Sequence, residues 1–140
     1  MTDPRHADPL RDTLEAAMED LVFSSESERP FTFIRYPATT IDIGLLTPEE
    51  VASLDDALGA EVEEITLDEL LARHIDRVDA HDRRSQGLIP RYQALRDTLR
   101  RSLVGVRVFR IGRREVRCLV IGNDPATGEL AGMETVAVES

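Results

Sequence analysis

An α+β domain with a mostly antiparallel sheet is predicted by three observations. The first part of the 140-residue chain places apolar residues at helical spacing. The last third changes to the alternation of strands. The connections in that last third are short, which suits antiparallel neighbours and not parallel crossovers. The length fits one domain with a real core. With four Phe, two Tyr and no Trp among 41% hydrophobic residues, that core must be mostly Leu, Val, Ile and Ala.

Residues 1–8 are polar and read as a tail, leaving residues 9–140 as a single domain. Leu10, Leu14, Ala17, Met18, Leu21 and Val22 share one helical face, so a helix is expected from about Pro9 to Val22. Phe23 to Pro30 reads as a polar loop closed by proline, and Phe31 to Tyr36 as a strand that Pro37 stops. Thr47-Pro48-Glu49-Glu50 is a helix start, with Thr as cap, Pro in the first turn and acids at the positive end of the dipole. Val51, Leu54 and Leu58 supply its apolar face, and Gly59 is a C-terminal stop. Thr66-Leu67-Asp68-Glu69 repeats the start signal ahead of the stripe Leu67, Leu70, Leu71, His74, Ile75 and Val78. Asp76 to Gln86 is charged and reads as a loop, after which Pro90 opens a helix with Tyr92, Leu95, Leu99 and Leu103 inward. Val104 to Ile111, Glu115 to Gly122 and Leu130 to Val138 then read as a meander of three strands.

The net charge of −10 is spread unevenly. Residues 1–72 hold 18 acids against 4 Arg, residues 73–117 hold 13 Arg against 5 acids, and residues 118–140 hold 4 acids and no Arg. There is no Lys. Excess acid argues against direct nucleic-acid binding, which needs cations to displace phosphate counterions. It suits a basic protein partner, but on charge alone the plainer reading, that it keeps the domain soluble, carries more weight. No stretch approaches a membrane span, and the N-terminus lacks the basic start and apolar run of a signal peptide. A cytoplasmic location is the expectation.

Catalytic chemistry finds little support. Cys118 is the single cysteine and lies in the strand-like run Val116 to Ile121, where a buried inert thiol is expected. His6, His74 and His81 form no close ligand set, and His74 on an apolar stripe reads as a hydrogen-bonded core residue. A metal-dependent hydrolase built on His74 and His81 is the weakest alternative. Ser24, Ser25 and Ser27 sit in no nucleophile elbow, and no phosphate-binding or dinucleotide motif occurs. Glu26 and Glu28 are two apart in an extended segment, where carboxylates point to opposite sides and suit acid–base work poorly.

Two blocks carry a family resemblance. The first is Leu21-Val22-Phe23-Ser24-Ser25-Glu26-Ser27-Glu28-Arg29-Pro30-Phe31. The second runs from Val108-Phe109-Arg110-Ile111-Gly112 through Val120-Ile121-Gly122 and Gly128-Glu129-Leu130-Ala131-Gly132 to Val138-Glu139-Ser140, with the helix Tyr92 to Leu103 between them. In these the sequence resembles the nuclease A inhibitor (NuiA-like) family. The resemblance implies an α-β-α sandwich like that of pathogenesis-related proteins. It implies a non-catalytic inhibitor, without a cofactor or metal of its own, that binds a non-specific DNA/RNA endonuclease as a monomer in a 1:1 complex. It places Glu26 and Ser140 in the enzyme's active site, near the nuclease Mg²⁺, with Ser25, Ser27 and Glu28 around them. A second contact loop corresponds to Val78-Asp79-Ala80, where Asp79 is the polar candidate and the family's aromatic residue is absent. The alternative is a binding module of the same fold with a different protein or small-molecule target.

Overall fold

The computed structural model describes residues 8–24, 28–54, 57, 59–76 and 83–139. Among these, α1 (Pro9–Met18) leads to two short strands, β1 (Val22–Ser24) and β2 (Glu28–Pro30), and then to β3 (Thr32–Tyr36). A 3₁₀ turn at Ile43–Leu45 and α2 (Pro48–Leu54) follow, then β4 (Val62–Ile65), α3 (Leu67–Ile75) and the long α4 (Arg83–Ser102). The meander β5 (Val104–Ile111), β6 (Glu115–Asn123) and β7 (Leu130–Val138) ends the described chain. The five-stranded sheet has the order β3-β7-β6-β5-β4, and every pair in it is antiparallel.

Helices cover both faces of this sheet. On one face α1, α3 and α4 bury Leu14, Leu70, Leu95 and Leu99 against Val108, Val120 and Met133. On the other, Ile43, Leu46 and Val51 pack against Phe109, Leu119 and Ile121. The central strands are therefore apolar on both sides, which explains the unbroken run Cys118 to Ile121. The architecture is an α-β-α sandwich of the α+β class, as the sequence predicts. Close approach of strands is built in at Gly132, where a Cβ would lie 1.9 Å from the Val120 carbonyl oxygen.

The local signals explain most elements. Asp8 caps α1 by accepting from the Arg11 amide at 3.1 Å. Thr66 and Glu69 form a reciprocal capping box at α3. Thr47 and Glu50 do the same at α2, with the Glu50 amide 3.2 Å from the Thr47 hydroxyl. Arg35 on β3 joins Asp8, Asp124 and Glu129 at 2.7, 2.9 and 3.0 Å, tying the start of α1 to the β6–β7 turn. The hydrogen bonds that Arg35 donates to Asp8, ahead of those it donates to Asp124 and Glu129, raise its pKa further above the ordinary value.

Four readings of the sequence need correction. The first helix ends at Met18, and Leu21 and Val22 do not continue it, because Asp20 takes a left-handed backbone with φ 64°. The stretch read as a loop from Phe23 to Pro30 contains the paired strands β1 and β2. Pro90 does not open the last long helix. It lies inside α4, which begins at Arg83, so the charged loop read from Asp76 to Gln86 is too long. A proline ring removes one helical hydrogen bond, and Pro90 does so on an exposed position while the packing of Tyr92, Leu95 and Leu99 carries the helix through. Finally, β4 is an additional edge strand between α2 and α3.

Part of the charge asymmetry of the sequence is paired off within the fold. Acids of the first block meet arginines of the second across β4 and β5. Glu64 takes Arg107 at 2.6 Å, Glu63 takes Arg110 at 3.0 Å, and Glu61 takes Arg113 at 2.8 Å. Asp68 on α3 takes Arg100 on α4 at 2.8 Å.

Candidate functional site

The site is built around the hairpin of β1 and β2. Phe23 is the inward residue of β1 and meets Phe31 edge-on, with ring centroids 6.3 Å apart. Tyr92 of α4 holds β1 from beneath. Its hydroxyl donates to the Val22 carbonyl at 2.7 Å and accepts from the Val22 amide at 3.2 Å. Thr135 of β7 holds β2, its hydroxyl donating to the Pro30 carbonyl at 3.0 Å. The hairpin closes on the pair Ser24 and Glu28, so residues 25–27 connect its strands. Glu28 is exposed.

His74 lies beneath the same hairpin. Its ring sits 4.1 Å from that of Tyr92 and 6.0 Å from that of Phe23. Burial pushes its pKa below the ordinary value, and the Glu28 carboxylate opposes that shift only in part. Burial likewise raises the Tyr92 hydroxyl.

The end of β7 lies at the same end of the sheet. Val138 is registered with Glu115, and the Arg29 guanidinium of β2 reaches the Glu115 carboxylate at 3.8 Å. Beyond Val138, the Glu139 amide donates to the Arg114 carbonyl at 2.7 Å. The Glu139 carboxylate pairs with Arg110 of β5.

A depression of about 500 Å³ unites these parts, bounded by Phe23, Arg73, Asp76, Arg110, Ala137 and Glu139. Phe23 is two residues before position 25, Asp76 directly precedes residues 77–82, and Glu139 directly precedes residue 140. The chain therefore enters three of its sequence-predicted contact segments from the rim of one depression. A wider groove of about 850 Å³ runs between α1 and β3, but it meets neither Asp76 nor Glu139.

A family model described as nuclease A inhibitor-like protein matches residues 8–140. The chain belongs to this family. No curated protein shows significant similarity to it. Of the residues that family resemblance points to, Glu28 is placed at the hairpin, exposed beside the base that Tyr92 and His74 support. Ser25, Glu26, Ser27, Asp79 and Ser140 lie outside the described residues, as do His6 and His81.

The chemistry on display suits presentation of carboxylates. Glu28, Asp76 and Glu139 border the site, and Glu115 adjoins it through Arg29. The Cys118 thiol is buried, and burial raises its pKa, which keeps it protonated and unreactive. Among the described residues, no cluster of three or more His, Cys, Asp or Glu side chains is arranged to hold a metal ion. No helix among them is long and apolar enough to cross a membrane. Sequence reasoning missed Tyr92 and Thr135 as supports of the hairpin and Arg110 as the partner of Glu139. Arg110 could have been found, because it takes the inward register that Val108 takes in the same strand.

Proposed function

We propose that this chain inhibits a non-specific DNA/RNA endonuclease by filling its active site, and has no catalysis or cofactor of its own. Glu26 enters from the hairpin and Ser140 from the end of β7, near the Mg²⁺ that belongs to the nuclease. Ser25, Ser27 and Glu28 surround Glu26, and Asp79 adds a third contact. The chain acts as a monomer in a 1:1 complex in the cytoplasm.

The reading is carried by the convergence of Phe23, Asp76 and Glu139 on one rim, from which the three family contact segments depart. A nuclease cleft places cations and a metal to stabilise anionic phosphate oxygens. A carboxylate can occupy such a cleft while offering no scissile bond. The paired strands of the hairpin and the anchored Glu139 reduce the ordering cost of presenting those carboxylates.

The test is titration of the purified chain against Mg²⁺-dependent non-specific nucleases, with cleavage of double-stranded DNA and of RNA followed together. Loss of both activities at a 1:1 ratio is the expected result. Undiminished cleavage at large excess, across a panel of such enzymes, would point to a binding module with a different target.

A further inference from the structure

Arg110 occupies a place where the alternation of β5 calls for an apolar side chain. It follows Val108 on the face covered by α1, α3 and α4, and it is only 9% exposed. Its register partners are Glu63 on β4 and Cys118 on β6. Burying a guanidinium is costly unless it is paired. Here one fork divides between two carboxylates, Glu63 at 3.0 Å and Glu139 beyond the end of β7. The Arg110–Glu63 pair is a cross-strand contact within the sheet. The Arg110–Glu139 pair is different, since it captures a residue that has already left the ladder.

We propose that Arg110 is a positioning residue for the inhibitory end of the molecule, and this rests on the inhibitor reading above. Together with the bond from the Glu139 amide to the Arg114 carbonyl, it gives Glu139 one backbone anchor and one side-chain anchor. Residue 140 follows directly, so its Cα lies within about 3.8 Å of an anchored neighbour. Arg110 also lines the depression that receives the hairpin through Phe23, so the same side chain links the two presenting segments. Arg73 borders the depression as well, but it reaches Glu63 only at 4.0 Å and makes no ion pair with Glu139 among the described residues.

A structural role alone predicts another pattern. The side chains of Glu63 and Glu139 are 57% and 40% exposed, so removing Arg110 leaves both carboxylates in contact with water and not as buried unpaired charges. Arg110→Met, which keeps much of the side-chain length, is therefore expected to remain folded. The experiment compares the full chain with Arg110→Met, Glu139→Gln, the double variant and Arg110→Lys. The readouts are inhibition of a Mg²⁺-dependent non-specific nuclease, thermal unfolding, and amide hydrogen exchange by NMR.

Arg110→Met and Glu139→Gln should each weaken inhibition about tenfold, and the double variant should be no weaker than either, because both remove one contact. Arg110→Lys should fall between, as an ammonium cannot span two partners like a guanidinium. The Glu139 amide should exchange faster in Arg110→Met while the amides of β3 stay protected. That last measurement needs no nuclease, so it separates this proposal from the inhibitor reading. Unchanged Glu139 exchange, additive losses in the double variant, or a loss of inhibition that tracks only the unfolding temperature would overturn the positioning role.

Discussion

The Tyr92 hydroxyl satisfies both backbone groups of Val22, donating to its carbonyl at 2.7 Å and accepting from its amide at 3.2 Å. A side chain of the long helix thus takes the place of a neighbouring strand at the outset of β1. The link joins residues 70 positions apart and sets where the hairpin lies on the core. The ring of Tyr92 separately packs on His74 and Phe31.

Tyr92→Phe keeps those ring contacts and removes both hydrogen bonds. The expected loss of stability is roughly 1–3 kcal/mol, the range for leaving partly buried backbone groups without partners. The Val22 amide should lose protection in hydrogen exchange, and inhibition should weaken more than the stability change explains. Thermal unfolding together with exchange at Val22 checks the claim. An unaltered Val22 amide would show that the hydroxyl does not hold the strand.

His74 gives a pH dependence whose sign follows from its surroundings. Burial among Tyr92 and Phe23 favours the neutral ring and lowers its folded pKa, against the opposing Glu28 carboxylate. The unfolded ring takes a proton near pH 6.5 while the folded one resists. The stability due to the neutral ring is therefore complete above about pH 6.5 and declines as pH falls toward the depressed folded pKa. His74→Gln should flatten the part of the stability profile between about pH 7.5 and 5. Denaturant melts of both proteins across that window measure the difference. Parallel profiles would exclude His74 as the source.

The elements that were legible in the sequence are those whose signal is local and complete. Thr66 through Glu69 spells a capping box, and the structure forms it. The meander reads correctly because Val104 to Val138 holds three β-branched, apolar runs separated by turn residues, among them Gly112, whose φ of 107° suits glycine. The hairpin was hidden because Leu21 and Val22 extend the apolar period of α1, and nothing in a period reveals a left-handed Asp20. The first two turns of α4 were hidden because Arg83 to Gly87 present no apolar stripe, while Pro90 mimics a helix start. β4 carries exposed Glu63 and Glu64, and reads as a strand only against its complement, Arg110 and Arg107. The same limit applies to the site. Family resemblance named Glu26 and Ser140, but the residues that hold their neighbours in place are joined by pairings no linear pattern displays.

Glu26 and Glu28 offer a direct comparison within one hairpin. Glu28 is exposed on β2, and its charge acts on His74 and Tyr92 at the base. Under the proposed function Glu26 is the residue presented to the nuclease. Glu26→Ala should raise the dissociation constant at least tenfold above that of Glu28→Ala, a difference of about 1.4 kcal/mol. Both variants should fold, because neither change removes buried apolar area. Inhibition titrations with circular dichroism provide the measurement. Equal small effects from the two would remove Glu26 from its role.

The two ends of the described chain lie at opposite ends of β7, and this allows a geometric test. Asp8 pairs with Arg35, which is registered with Ala131 near the start of β7, whereas Glu139 follows Val138 at its end. The eight steps of about 3.4 Å along this nine-residue strand put its ends about 27 Å apart. A folded domain fused after Ser140 would stand over the rim formed by Phe23, Asp76 and Glu139, and would keep a nuclease from closing on it. The same domain fused ahead of Met1 joins the described chain at Asp8, at the other end of β7 from that rim. Inhibition should therefore fail with the C-terminal fusion and survive with the N-terminal one, while both proteins melt like the parent. Removing Ser140 alone should weaken inhibition without unfolding the sheet, because Glu139 keeps its bonds to Arg114 and Arg110. Nuclease assays on the three proteins, with melting curves alongside, decide the matter. Full inhibition by the C-terminal fusion would place the end of β7 outside the interface and leave the hairpin to act alone.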